Sequence, residues 1–337
     1  MNAMGSIKRN VISYLQLFRL QTAAVTAITP VIGGLLMNQR EPLPLLVLFL
    51  VGLLYHVFGF VLNEYIDIEV DKKSADLKKK PLVSGVITKS TALSIVIISS
   101  VSACTLLALF QSALPLILFL LALSLGALYD IYGKKMPGFD FVLAGGFSFL
   151  CIAGASTVSF SFSLLVYLVC LLYFFHIVFN NAVEGGLKDI DHDALGGAKT
   201  IATRMGVHIH NGVLQTTLLF RVFAYSIQLA FFGTLIILGM QPELALLGGS
   251  IFLPFITVLL GLVVFATSYL FMCPRPFHRG QLKRLFSIHE MASYFLVLVV
   301  LSPFFGLLVT LTLILIPTCW YLALNVILYG KLLQPQV

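Results

Sequence analysis

The sequence predicts an all-α protein, a multi-pass bundle of transmembrane helices. Hydrophobic residues make up 59% of the 337 residues and charged residues only 10%, whereas a soluble domain has roughly 45–50% and about 25%. The mean hydropathy is +1.01, and the apolar residues form runs long enough for membrane-spanning helices. These figures exclude a soluble enzyme and a disordered chain. The five cysteines are widely separated, which argues against a disulfide framework or a zinc site.

Apolar runs mark the expected spans in chain order. Eight clear runs lie near 13–37, 44–66, 90–110, 113–130, 139–160, 163–184, 213–239 and 245–272. A further run, 289–329, covers 41 residues, about 61 Å as a helix and twice the hydrocarbon thickness. We expect it to fold back at 302–306, where the sequence reads Ser-Pro-Phe-Phe-Gly, which gives ten spans. A single long tilted helix there would give nine instead.

Basic residues predict which side of the membrane each loop occupies. With the N-terminus inside, 18 of the 21 Lys and Arg residues fall on the same side. Cytoplasmic loops carry such an excess, so we expect the N-terminus and the loops that share its side to be cytoplasmic. This bias accounts for the net charge of +7 without a nucleic-acid partner. Because no linker divides the chain, residues 1–337 are expected to form one domain.

Acidic residues gather at two helix ends on the cytoplasmic side. Nine of the 14 acids lie between residues 64 and 76 or between 184 and 193. Asn63, Asp67 and Asp71 are spaced i, i+4 and i+8, so they share one face of a helix that leaves the membrane. Asp189 and Asp193 repeat the i, i+4 spacing. Carboxylates at this spacing repel each other, and a bound cation would remove the repulsion.

The residue types indicate which cation this would be. Glu64 and Glu69 add to the repulsion in the first segment, and oxygen ligands without cysteine suit a hard ion such as Mg²⁺. The alternative is that both segments are solvated helix ends, the usual role of a charge run. Two copies with equal spacing on one membrane face favour the metal site.

Basic residues accompany both acidic segments. Lys80 lies in the loop after the first segment, Lys188 opens the second, and Lys134 lies in another loop on the same face. Metal ions and basic side chains together neutralise phosphate oxygens, so the set predicts a site for a phosphate ester or diphosphate. For Lys134, membrane topology alone is an equal explanation. Arg19, near the start of the first span, either reaches the interface or faces a polar cavity.

These residues resemble a known family. The pattern N-x-x-x-D-x-x-x-D at 63–71, K-P-L-V-S-G at 80–85, D-x-x-x-D at 189–193 and G-A-K-T at 197–200 are together similar to the UbiA superfamily of intramembrane prenyltransferases. The resemblance extends from the first span to about residue 210. It implies nine core helices around a central cavity open to lipid, here with a tenth C-terminal helix. Cytoplasmic loops at about 67–89 and 185–212 would cap the cavity.

The resemblance also implies the chemistry. It suggests Mg²⁺, expected as two ions, and an isoprenoid diphosphate donor. The expected metal ligands are Asn63, Asp67, Asp71, Asp189 and Asp193. The expected diphosphate contacts are Asn63, Arg19, Lys80, Lys134 and Lys188. Tyr129 matches a position near the allylic carbon, where it would shield the developing carbocation as a catalytic residue beside the four aspartates.

Two acids depart from the family pattern. Asp130 stands where the family usually has Ser, so it is expected either to affect deprotonation of the acceptor or to face solvent. Asp191 adds a carboxylate on another helix face. The pattern does not select an acceptor among aromatic acids, naphthoates, haem, chlorophyllide, glycerol phosphates and sugar phosphates.

The expected reaction is therefore transfer of a prenyl group through an allylic carbocation to a small or lipid-like acceptor. Within the same superfamily, the alternative is a terpene cyclase, in which the donor's own double bond attacks the cation. From a different class, the alternative is a secondary transporter of a divalent cation or phosphate ester, because intramembrane acids often mark ion pathways.

Overall fold

In the computed structural model the chain is a bundle of long helices. The structure describes residues 3–72, 75–244, 252–330 and 332. The helices are α1 Ala3–Leu17, α2 Ala23–Leu36, α3 Pro42–Asp71, α4 Lys89–Ala108, α5 Ala113–Tyr132, α6 Phe139–Ser156, α7 Leu164–Lys188, α8 Ile190–Gly196, α9 Ile201–Arg204, α10 Leu218–Gly239, α11 Phe252–Met272, α12 Arg279–Phe305 and α13 Leu307–Tyr329. Short 3₁₀ helices cover Leu20–Thr22 and Ala75–Lys79, and a π-helical segment, Phe179–Gly185, lies within α7.

The number of spans agrees with the apolar runs. Among the described residues, nine helices are long and apolar enough to cross a membrane, and the bent pair α1 and α2 would make a tenth. The predicted fold-back at 302–306 is confirmed, because Gly306 separates α12 from α13. Its φ of 79° lies in the left-handed region, which glycine adopts without a Cβ clash. Residues 245–251 of the predicted eighth span lie outside the described residues.

The first predicted span, over 13–37, is bent in the structure. The chain bends by 51° between α1 and α2, at Arg19, whose φ is 43°. The bend interrupts the regular hydrogen-bond pattern of the helix. His56 of α3 compensates, since its Nε2 lies 3.0 Å from the carbonyl oxygen of Phe18 and 3.2 Å from that of Arg19.

Small residues let α2 and α6 approach closely. A Cβ atom on Gly154 would lie only 1.9 Å from the carbonyl oxygen of Pro30, and one on Gly33 only 2.0 Å from that of Cys151. The two backbones are therefore in direct contact, a packing that glycine and alanine allow in membrane helices. This contact fixes α2 and α6 beside the central cavity.

A small sheet departs from the all-α prediction. Strand β1, His208–His210, pairs antiparallel with β2, Val213–Gln215, and β2 pairs with β3, Arg275–Pro276. Asn211 and Gly212 form the turn of the hairpin, with φ of 48° and 74°, as the tight turn of type I′ requires. The sheet joins the loop after α9 to the loop that precedes α12.

Candidate active site

One cavity of about 1340 Å³ lies between the helices. Every side chain predicted for the site lines it: Arg19, Asn63, Asp67, Asp71, Lys80, Tyr129, Lys134, Lys188, Asp189 and Asp193. The acids come from the end of α3 and from the junction of α7 with α8, so we call this end of the bundle the motif end. Aromatic and aliphatic residues line the cavity further in, among them Phe147, Tyr173 and Phe231.

The first motif lies on a continuous helix. Helix α3 extends past the predicted span to Asp71, and the i, i+4, i+8 spacing turns Asn63, Asp67 and Asp71 towards the cavity. Asp67 and Asp71 are only 8% and 4% exposed. Glu69 points away from the cavity, where it pairs with Lys72 and Lys89 at 3.0 and 2.9 Å.

Lysines pair with the carboxylates of both motifs. Lys134 Nζ lies 2.6 Å from Asp67 Oδ2, and Lys80 Nζ lies 2.9 Å from Asp71 Oδ2. In the second motif, Lys188 Nζ lies 3.1 Å from Asp189 Oδ2. The lysines predicted to bind phosphate therefore lie directly beside the acids predicted to bind metal.

Lys134 links the two motifs electrostatically. Burial alone would lower the pKa of its ammonium group, but the carboxylates of Asp67, Asp71 and Asp193 outweigh that effect and raise it. In addition, the backbone N–H of Lys199 donates to the carbonyl oxygen of Lys134 at 2.8 Å. The loop after α5 is thereby joined to the loop after the second motif.

Glu64 has a different role from the one its charge suggests in the sequence. Its side chain is 5% exposed, and its Oε1 lies 3.7 Å from Arg19 Nη2 and 3.5 Å from Lys80 Nζ. The Arg19 guanidinium also lies 4.9 Å from the centre of the Phe60 ring, within cation–π range. Glu64 is thus paired with two cations, which offset the repulsion expected from its charge in the sequence.

The second motif is not one regular helix. The π-helical segment precedes it, α7 ends at Lys188, and Asp189 with ψ of 9° forms the junction to α8. The N–H of Asp193 still donates to the carbonyl oxygen of Asp189 at 2.9 Å, so both side chains face the cavity. A π-helical segment arises when one extra residue is inserted into an α-helix, and such segments are often found at functional sites.

The two carboxylates of the second motif have different environments. Burial raises the pKa of Asp193 to about 6, and the charge of Asp189 adds to the increase. For Asp189, burial acts in the same direction, but the neighbouring Lys188 outweighs it and lowers the pKa below its usual value. A cation beside Asp193 would therefore stabilise the charged form of its carboxyl group.

The additional acids also have defined contacts. Asp191 accepts a very short hydrogen bond from Arg279, the first residue of α12, which also donates to the carbonyl oxygen of Lys188 at 3.2 Å. Asp191 therefore attaches the second motif to α12. Asp130 accepts from Asn63 Nδ2 at 3.2 Å and lines the cavity, so the solvent-facing alternative is wrong.

Tyr129, which precedes Asp130 in the chain, also lines the cavity. Its hydroxyl donates to Asn181 Oδ1 at 3.4 Å, and Asn181 in turn donates from Nδ2 to the carbonyl oxygen of Ile177 at 3.0 Å. Asn181 belongs to the π-helical segment of α7. The irregular part of α7 thus orients the tyrosine predicted to lie near the reacting carbon.

The acids do not form a preformed cluster around one ion. In the described part of the chain, no three His, Cys, Asp or Glu side chains are close enough to hold a metal together. Lysine nitrogens lie within 3.1 Å of the carboxylates of Asp67, Asp71 and Asp189 instead. The donor set of carboxylate oxygens nevertheless fits a hard divalent cation.

The fold and the site define a class of protein: a multi-pass helical membrane protein whose cavity joins paired carboxylates and lysines to an apolar interior. Residues 27–276 match the UbiA prenyltransferase family. This match covers well over half of the chain, so the chain belongs to the UbiA prenyltransferase family and is a prenyltransferase. The resemblance in the motifs is thereby confirmed.

Individual relatives are distant. A digeranylgeranylglyceryl phosphate synthase from Saccharolobus solfataricus is 27% identical over 58% of this chain and 70% of its own length. A protoheme IX farnesyltransferase from Paramagnetospirillum magneticum is 26% identical over 48% of this chain and 58% of its own length.

Solved structures share the fold. A UbiA homologue from Aeropyrum pernix K1 superposes with a TM-score of 0.65 at 16% identity, covering 84% of this chain and 97% of its own. A UbiA homologue from Archaeoglobus fulgidus, bound to DMAPP and Mg²⁺, gives 0.63 at 16% identity over 88% of this chain and all of its own.

The sequence did not predict every residue that lines the cavity. Glu290 of α12 lines the cavity, and its position inside an apolar run is a signal that sequence reasoning can use, because acids within spans usually serve a function. Arg279 also lines the cavity. It gives no such signal, since it lies in a basic loop that membrane orientation already explains.

Proposed function

We propose that this prenyltransferase moves the prenyl group of an isoprenoid diphosphate to an acceptor held within the membrane. The observation that carries the proposal is that one cavity has carboxylates and lysines at the motif end and mostly apolar walls further in. A charged end fits a diphosphate, and an apolar interior fits its hydrocarbon tail. The likeness to a homologue bound to DMAPP and Mg²⁺ supports this choice of donor.

In this proposal the motif acids hold the metal. The ligands would be Asn63, Asp67, Asp71, Asp189 and Asp193, for two Mg²⁺ ions. Mg²⁺ would neutralise the diphosphate oxygens and so make diphosphate a better leaving group. The lysines now paired with the aspartates would then turn to the diphosphate, with Arg19 as a further contact.

The remaining side chains would control the carbocation. As the bond between the allylic carbon and oxygen breaks, its electron pair leaves with the diphosphate and the prenyl group becomes a cation. Tyr129, oriented by Asn181, would offer its ring to that charge. The apolar walls would exclude water, which otherwise traps the cation as an alcohol. An electron-rich atom of the acceptor would then attack and lose a proton.

The membrane arrangement is part of the proposal. The excess of Lys and Arg supports a cytoplasmic N-terminus and cytoplasmic acidic motifs. Residues 1–337 would form one domain, with the loops at about 67–89 and 185–212 capping the cavity. The donor and a lipid-like acceptor would enter from the bilayer.

Magnesium affinity is expected to fall below about pH 6. The proton on Asp193 competes with the metal, and the pKa of this carboxyl is about 6. Each pH unit below that value should weaken Mg²⁺ binding by up to about tenfold. Calorimetric titration of the protein with Mg²⁺ between pH 5 and pH 8 measures the effect. An affinity that is constant over this range would contradict the role of Asp193 as a ligand.

The function itself is tested by product analysis. Purified protein with Mg²⁺ should convert prenyl diphosphates of increasing length, offered with a panel of aromatic, naphthoate, haem and glycerol phosphate acceptors, into products heavier than one acceptor by the prenyl group. Mass spectrometry identifies both the acceptor and the chain length. A cyclised hydrocarbon formed without any acceptor would instead support the terpene cyclase.

A further inference from the structure

A second polar site lies deep in the same cavity, away from the motif acids. Glu290 of α12 faces His176 and Asn180 of α7. His176 Nε2 lies 3.2 Å from Glu290 Oε1, and Asn180 Nδ2 donates a very short hydrogen bond to the same oxygen. All three side chains line the cavity. We call these three residues the inner polar site.

The inner polar site lies well inside the spanning segments. Glu290 follows Arg279 by 11 residues, which places it about 16 Å along α12 from the motif end, and His176 faces it from α7. A carboxyl group at this depth is costly unless it is paired and hydrogen-bonded. Such residues inside membrane helices commonly belong to a site for a polar substrate.

The hydrogen bonding at the inner polar site is incomplete. Both donors reach Oε1 of Glu290, and among the described residues none donates to its second oxygen, Oε2. The side chain of Glu290 is 24% exposed, and that exposure is to the cavity. Ser293, one turn further along α12, also lines the cavity, and its buried hydroxyl lacks a hydrogen-bond partner in the described part of the chain.

A neighbouring pair of similar residues does not reach the cavity. Glu184 of α7 is fully buried, and its Oε1 lies 4.0 Å from Nδ1 of His289 on α12. His289 Nδ1 is also 2.8 Å from the Thr267 hydroxyl of α11, and its ring stacks on Phe179. This pair belongs to the packing between helices, so it offers a matched control for Glu290.

We propose that Glu290, positioned by His176 and Asn180, binds the acceptor through a hydroxyl or N–H group. The inference rests on the proposed function and adds the class of acceptor. A carboxylate oxygen without a donor accepts hydrogen bonds, so it favours a neutral hydroxyl-bearing ligand. The same oxygen repels an anion. Acceptors that present a carboxylate at this depth are therefore disfavoured.

Binding of two matched probes tests the preference without any variant. We expect wild-type protein in detergent to bind 1-naphthol about tenfold or more tightly than 1-naphthoate, as measured by calorimetry, because the two rings differ only in the polar group. Equal affinities, tighter binding of naphthoate, or binding of neither probe would overturn the proposal.

The variant Glu290→Gln tests whether Glu290 causes the preference. Its amide keeps the shape of the side chain but removes the charge and adds a donor, so we expect naphthol binding to weaken about tenfold and naphthoate binding to improve. Glu184→Gln should leave both affinities unchanged. If the Glu290→Gln variant folds but still prefers naphthol over naphthoate as the wild type does, the inner polar site serves only to hold α7 against α12. If this variant does not fold, the wild-type comparison decides.

Donor binding separates this inference from the proposed function. Binding of dimethylallyl diphosphate in the presence of Mg²⁺ is measured on the same samples, and Glu290→Gln should preserve it because the motif acids are unchanged. If the wild-type protein does not bind dimethylallyl diphosphate in the presence of Mg²⁺, the proposed function is refuted. Retained donor binding without a preference between naphthol and naphthoate would refute the acceptor site alone.

Discussion

Asp67→Asn and Asp189→Asn are each expected to lower prenyl-transfer turnover by about 100-fold or more while the protein still folds. Each substitution removes a charge that the proposed metal site uses to stabilise the departing diphosphate. Both side chains line the cavity at the motif end, and each is paired with a lysine. Turnover is measured at saturating Mg²⁺ and donor, and folding by the thermal unfolding midpoint in detergent.

A nearby acid provides the control for this experiment. Glu69 lies two residues from Asp67 on the same helix, but its side chain is 67% exposed and pairs with lysines outside the cavity. Glu69→Gln should therefore retain nearly full activity. Turnover close to wild type in both Asp67→Asn and Asp189→Asn would show that the acidic motifs do not hold a catalytic metal.

Lys80→Ala is expected to raise the KM for the prenyl diphosphate, or to lower kcat/KM, by about tenfold or more. The side chain is 15% exposed and lies between Asp71 and Glu64 inside the site. Loss of one charge-assisted contact to a phosphate costs about 1.5–3 kcal/mol, which corresponds to this range. Steady-state kinetics with varied donor measures the effect, and the KM for the acceptor should change little.

The same loop supplies the control for Lys80. Lys78 is exposed and does not line the cavity, so Lys78→Ala should leave donor kinetics unchanged. Insertion into the membrane should survive either substitution, because the remaining basic residues still provide the topology signal. The same small effect in both variants would mean that the loop is only a basic patch.

Much of the architecture could be predicted because the membrane imposes a simple length rule. Runs of about 20 apolar residues identify the spans, and the Ser-Pro-Phe-Phe-Gly segment correctly predicts the break between α12 and α13. The bend in the first span could not be predicted, because it occurs at Arg19, which has no particular preference for a positive φ. The hairpin at Asn211 and Gly212 did have a recognisable turn signal.

The candidate site could be predicted where its residues share one helix. Spacing of i, i+4 and i+8 correctly predicts that Asn63, Asp67 and Asp71 share a face towards the cavity. Contacts between helices could not be predicted in this way, because helical periodicity does not say which helices are neighbours. The pairing of Glu64 with Arg19, 45 residues earlier, therefore could not be predicted, nor could that of Glu290 with His176.

The second motif shows the limit of spacing as a guide to local geometry. Asp189 and Asp193 do face the same cavity, but α7 becomes π-helical over Phe179–Gly185 and ends at Lys188. The helical register therefore changes just before the motif. Periodicity alone does not reveal such a change, because it assumes a constant number of residues per turn.

Release of diphosphate is the most direct measurement of the central claim that the acidic motifs and the cavity together catalyse prenyl transfer. Detergent-solubilised protein is incubated with dimethylallyl diphosphate and the acceptor panel, where no second compartment exists for transport. We predict diphosphate release that requires Mg²⁺, stops when a chelator is added and returns when Mg²⁺ is restored. Protein that binds the donor but releases no diphosphate, or releases it equally with the chelator, would contradict the account.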